Sequence, residues 1–386
     1  MRGGRYLYAG TIVLALVIGL GLWSPLTPAN ADRQHRQRVP RFVVDPFWPK
    51  PLPDRWVTGE VAGTCVDSQD HVFTVNRRNL LDIERTLGET VSPAVLEFDP
   101  EGNVVNAWGD PAILPNGIHG CFVDHEDNVW IASNGDGVVQ KYSHDGSLLL
   151  QIGTKGLCDG VGGACGAPGL NSSTTLLNQP ADVAVDPGNG DVYIADGYGN
   201  HRVVVFDRSG QFLRQWGSAG TGPGQFAPGG GGHPHCVVLT KEGLLYVCDR
   251  ANDRIQVFDK MGNLEQIIPV KPGTGTPGRG AVGSSNDLDF STDERQEFMY
   301  VNDPGNAALW IYNRAAATIL GGFGRPGHMA GEFTVFHSVA VDSRGNLYTG
   351  ETIGGRRAQK FVPRGHVPGG KLGTYRGSPH YDPLPD

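Results

Sequence analysis

Three histidines carry the strongest chemical signal in this chain of 386 residues. His119, His235 and His337 each occupy the same place in a recurring pattern, at the head of a short apolar run that ends in a tight turn. A lone histidine on such a run is usually a structural hydrogen-bonder. Three at equivalent positions invite a metal. Three imidazoles with one open position form the ligand set of a catalytic zinc, and imidazole also suits iron, nickel and copper. Zinc is the expected cofactor, with another divalent transition metal as the alternative. His233 shares the strand parity of His235 and is open to two readings, a fourth ligand or, as expected, a rim hydrogen bond. His71, His125, His144, His201 and His380 fall in turns, near turns or in the tail and carry no signal.

A second set lies one strand further along. Arg77 in VNRRN (75–79) and Arg250 in CDRAN (248–252) hold equivalent places just after a second apolar run, and Tyr198 in ADGYGN (195–200) lies one residue later in its own unit. Arg78 is the rival of Arg77. A phenol can act as a base when a nearby cation favours its deprotonated form, and a guanidinium can grip a carboxylate by paired hydrogen bonds.

The elements that must position these groups follow from an internal period. One unit, ADVAVDPGNGDVYIADGYGNHRVVVFDRSGQFLRQWG (181–217), reads as four short strands joined by tight turns. The same grammar recurs from 63, 120, 236, 286 and 338. Ala62, His119, Ala181, His235, Asn286 and His337 align, at intervals of 57, 62, 54, 51 and 51 residues. Six four-stranded units packed around an axis make an all-β, six-bladed β-propeller. Alternate blades of such a ring lie 120° apart, so the three histidines converge on the axis. The turns carrying Tyr198, Arg77 and Arg250 open on the same mouth. The propeller is expected over 58–361, between irregular Pro/Gly-rich segments at 32–57 and 362–386, one of which supplies a closing strand.

These residues resemble the peptidyl-α-hydroxyglycine α-amidating lyases, a branch of the NHL-repeat propellers. The likeness runs over about 57–361. It is clearest in 178–217, in PHCVVLTKEGLLYVCDRANDRIQVFD (234–259) and in IHGCFVDHEDNVWIAS (118–133). It implies a catalytic zinc on His119, His235 and His337, with Tyr198, Arg250 and Arg77 as active-site residues. It also implies a carbon–nitrogen lyase that cleaves a carbinolamide to an amide and glyoxylate, acting on a peptide or small-molecule substrate. Ser338 stands where the family has an Asp that helps hold a structural calcium, which argues against that ion here. Val335-Phe336 replaces an apolar-Pro approach to the third histidine, and Gly199 replaces a family Cys, which removes its disulfide. Two other classes remain open: a metal-dependent hydrolase or lactonase on the same scaffold, and a non-catalytic binding propeller.

Composition agrees with the scaffold. Gly accounts for 57 residues and Pro for 27, a density that breaks long helices. The net charge of −8 argues against a nucleic-acid partner. Arg2 and Arg5, an apolar run over about 6–23 and Pro28-Ala29-Asn30-Ala31 read as a secretory signal cut after Ala31, or else as an uncleaved anchor. Export is expected, with no other membrane contact, and the mature chain is expected to act as a monomer. An exported chain permits disulfides. Cys158 and Cys165 bracket a Gly-rich loop, Cys236 and Cys248 lie on successive strands, and Cys65 and Cys121 are left over. Spacing alone does not fix the pairing.

Overall fold

The computed structural model describes residues 38–229, 233–271 and 283–368. The segment read as a secretory signal and the tail beyond 368, His380 included, lie outside them. Among the described residues no helix is long and apolar enough to cross a membrane.

Six four-stranded antiparallel sheets follow one another along the chain. Their innermost strands are Val61–Val66, Ile118–Val123, Asp182–Val185, Val237–Leu239, Asp287–Phe290 and Phe336–Val341. The sixth blade holds the closure. Its outermost strand is Arg38–Asp45, from the N-terminal side, paired antiparallel with Ala358–Pro368 through Val43 opposite Val362 and Val44 opposite Phe361. The ring is therefore wider than 58–361. Part of the segment read as irregular supplies the closing strand, and the last strand runs on to Pro368.

Burial explains the sequence pattern. Second strands such as Val192–Asp196 and Leu245–Asp249 are buried at every position, because a blade is covered on both faces by its neighbours. Outer strands such as Phe212–Trp216 alternate between half-buried and exposed. The apolar core is divided into wedges between adjacent blades. Phe73, Val75 and Val95 of blade one meet Ile118, Ile131 and Tyr142 of blade two. Trp48, Phe98 and Tyr348 fill the wedge where the ring closes. Tight turns end the strands. At Asp207–Gln211 the carboxylate accepts the amides of Ser209 and Gln211 at 2.8 and 2.9 Å, and Gly210 takes the left-handed φ of 84°.

Three disulfides form, Cys65–Cys121, Cys158–Cys165 and Cys236–Cys248. The two cysteines left over in the sequence join the inner strands of blades one and two.

Candidate metal centre

His119, His235 and His337 meet on the axis. Their ring centroids stand 4.5, 4.8 and 5.2 Å apart, and all three side chains are buried. The backbone explains how inner strands aim them. The strand ladder slips between Ile118 and Cys121 and again between Phe336 and Ser338, so His119 and His337 sit at bulges that break the regular pairing. Ala62, the aligned residue of blade one, sits at a third such slip. Bulges re-aim side chains in this way. Gly120 lets the neighbouring inner strand approach closely, since a Cβ there would lie 2.5 Å from the Ala181 carbonyl oxygen. At the altered approach to His337, Phe336 is buried and stacks on Phe333 at 4.2 Å.

The blades without histidine supply the other half of the arrangement. Nδ1 of His119 lies 2.8 Å from the carbonyl of Ala181, that of His235 lies 2.6 Å from Asn286, and that of His337 lies 2.6 Å from Ala62. A carbonyl only accepts, so each Nδ1 carries the proton and each Nε2 is a bare lone pair. This is the outer-shell pattern that orients ligating imidazoles. Electrostatics keep the rings neutral. Burial, reinforced by His337 and Arg77, holds His119 well below the usual imidazole range. Burial and Arg250 do the same to His235. Burial, with Arg77, brings His337 down to about 3. Three neutral imidazoles of one tautomer fit a transition-metal dication. Ser338, at the place where the resemblance puts a calcium-binding Asp, accepts from the Thr64 hydroxyl at 3.2 Å.

Tyr198 reaches the same point. Its hydroxyl is 3.0 Å from His119 Nε2 and 3.1 Å from His235 Nε2. The residue takes the left-handed φ of 64°, and Gly197 before it leaves room for the His233–Pro234 backbone, which any Cβ would strike. The Arg250 guanidinium lies 5.6 Å from the Tyr198 ring centre. Arg250 is buried and donates to Asn286 Oδ1 at 2.7 Å, while its Nε has no partner. Arg77 pairs with Glu60 at 2.7 Å and donates to the Ile118 carbonyl at 3.3 Å. Arg78 instead donates to the Ser92 carbonyl at 3.1 Å. His233 is outside the triad group, is buried, and accepts the Ala251 amide at 3.3 Å.

Asn286, which aligns with the histidines, is tied into the centre. Its carbonyl takes His235, its side-chain amide donates to the His337 carbonyl at 2.6 Å, and its Oδ1 holds Arg250. The signal was there, as the one polar residue among the three aligned positions that lack histidine. Behind the triad the channel widens to a cavity of about 410 Å³ whose lining includes Asp182, Asp287 and Asp289. Burial pushes the carboxyls of Asp182 and Asp289 up to about 7, and burial with the Asp182 charge raises Asp287 well above the carboxylate range.

The NHL repeat family matches residues 177–206 and 232–258, within blades three and four. The human NHL repeat-containing protein 3 is 32% identical over 225 residues, covering 57% of each chain. Peptidyl-alpha-hydroxyglycine alpha-amidating lyase 1 of Drosophila melanogaster is 31% identical over 275 residues, 62% of this chain and 46% of that protein. The chain thus spans about half the length of these curated relatives. A solved streptogramin B lyase shares the fold at a TM-score of 0.53 and 11% identity, over 84% of this chain and 98% of its own. The protein is an NHL-repeat six-bladed propeller. Its sequence resembles the peptidyl-α-hydroxyglycine α-amidating lyases.

Proposed function

We propose that the chain is an exported, metal-dependent carbon–nitrogen lyase that cleaves a peptidyl-α-hydroxyglycine-like carbinolamide to an amide and glyoxylate. The observation that carries this reading is the Tyr198 hydroxyl poised within 3.0 and 3.1 Å of two Nε2 atoms of a neutral three-imidazole centre. His119, His235 and His337 would hold zinc or a similar dication, which supplies Lewis acidity toward a substrate oxygen. Tyr198 removes the proton of the substrate hydroxyl. The oxygen lone pair then forms the aldehyde C=O as the C–N bond breaks, and the amide nitrogen leaves with that bonding pair and takes up a proton. Tyr198 is within reach to return the one it removed. Arg250, with its unpartnered Nε, binds the substrate carboxylate, and Arg77 adds positive charge at the same mouth.

The test is an assay of the zinc-replete protein on an α-hydroxyglycine amide, reading glyoxylate, beside one on a lactone. Glyoxylate release supports the lyase. Lactone opening without glyoxylate would move the site to the hydrolases, and inertness on both to the binding propellers.

A further inference from the structure

A second group of ligating side chains lies away from the axis. Asp67 and His71 flank the turn between the first two strands of blade one, Glu97 stands on that blade's third strand opposite Phe73, and His144 lies in the outer turn of blade two. Turns joining strands one to two and three to four open on the face opposite the triad. His71 and His144 carry no signal in the sequence. The fold corrects this, for one ligand atom from each of the four residues falls within 4.8 Å of all the others.

We propose that Asp67, His71, Glu97 and His144 form a second divalent transition-metal site, of zinc-like preference, that clamps blade one to blade two. The contacts as they stand are unevenly shared. Glu97 Oε1 takes both imidazoles, with His71 Nδ1 at 2.6 Å and His144 Nε2 at 3.0 Å. Asp67 Oδ2 waits 3.8 and 3.9 Å from the same two nitrogens and has no hydrogen-bond partner, and neither has Glu97 Oε2. Asp67 is 7% exposed and Glu97 is 3% exposed. A buried carboxylate oxygen left without a donor is costly, and a dication among these atoms relieves it.

The spacing suits such an ion. Four ligands at zinc-like bond lengths stand roughly 3.3 Å apart around a tetrahedral centre, a value the four separations bracket. Two imidazoles and two carboxylates are a borderline donor set that favours zinc, iron(II) or manganese(II). The ligands are also held from behind. Asp67 Oδ1 accepts the amides of Gln69 and His71 at 2.9 and 2.8 Å, which leaves Oδ2 aimed at the imidazoles. The His144 ring meets Phe73 edge-on at 5.1 Å. The side chains of His71 and His144 are 24% and 35% exposed, so an ion can enter from solvent.

The experiment counts zinc. The full chain is stripped with chelator, titrated with zinc chloride, freed of excess and analysed for metal per chain. In a His119→Ala/His337→Ala background, which disables the axial centre, one zinc per chain is expected to remain. Adding His144→Ala or Glu97→Gln should each remove it, with the circular dichroism spectrum unchanged. Glu97→Gln keeps the side-chain shape and guards against a variant that fails to fold. Zinc should raise the melting temperature of the background variant and not of the triple variants. No zinc in the background, or zinc that persists in the triple variants, overturns the proposal. Either result is independent of whether the axial centre is a lyase.

Discussion

The two histidine clusters use one residue type in opposite electrostatic settings. On the axis, three imidazoles face one another without a carboxylate, and backbone carbonyls alone hold their Nδ1 protons. At the outer turns, two imidazoles share two carboxylates and are tied to Glu97. Neutral ligands leave the charge of a dication available to polarise a substrate, whereas two carboxylates cancel it. The first arrangement suits catalysis and the second suits a structural clamp. The arginines follow the same division: Arg77 and Arg250 bear on the axial histidines and lower their proton affinity further.

The largest effect that would sharpen this contrast is at Tyr198. Tyr198→Phe is expected to lower kcat by about 10²- to 10⁴-fold, the range for loss of a general base, with zinc content unchanged by metal analysis. Glu97→Gln should leave kcat where it was. Equal losses in the two variants would erase the distinction between the centres.

Next in size is Asn286→Ala, which frees Arg250 and one support of the His337 backbone. A hydrogen bond to a charged group is worth about 1.5–3 kcal/mol, or at least roughly tenfold in kcat/KM. Steady-state kinetics should show the loss mainly in KM, because the substrate's carboxylate grip is loosened.

The clusters should also titrate in opposite directions in metal-free protein. His337 is brought down to about 3 from an ordinary value near 6.5. Between those values the unfolded chain binds a proton that the folded chain refuses, so this group's contribution to stability grows as pH rises from 3 to 6.5. His144 is raised: burial opposes its charge, but hydrogen bonding and charge attraction to Glu97 outweigh it. Its contribution is fully present below 6.5 and fades as pH climbs through the folded value. Imidazole NMR titration should therefore find His337 neutral and His144 protonated at pH 6. The same ionisation at both would break the comparison.

The smallest effect concerns the channel acids. Asp182 and Asp289 are raised to about 7 against an ordinary 3.8. The folded state holds their protons longer than the unfolded one, so stability falls as pH rises from about 4 to 7. The melting temperature should accordingly fall from pH 4 to pH 8, and by less in Asp182→Asn, whose amide oxygen can still accept the Val237 amide.

Much of the axial centre was legible because the repeat aligns it. One position per blade named His119, His235 and His337, and one turn per blade named Tyr198, Arg77 and Arg250. The period could say nothing about features that occur once. The Asp67–His144 group draws on three segments of two blades, and among the described residues no other blade carries its equivalent, so alignment hid it. Asn286 was visible as a departure from the pattern, but its three roles depend on which atoms face which neighbour. Which flanking segment would close the ring was hidden for a different reason. Arg38–Asp45 is half-exposed along much of its length and contains Pro40, as an edge strand tolerates, so it lacks the buried run that marked the inner strands.

His337 completes its tautomer by reaching Ala62, across the seam where the end of the chain meets its beginning. A ribosome makes Ala62 long before it makes His337. The axial pocket therefore cannot mature blade by blade. It comes into being only when the last blade docks on the first, so that competence for chemistry reports that the whole circle has been joined.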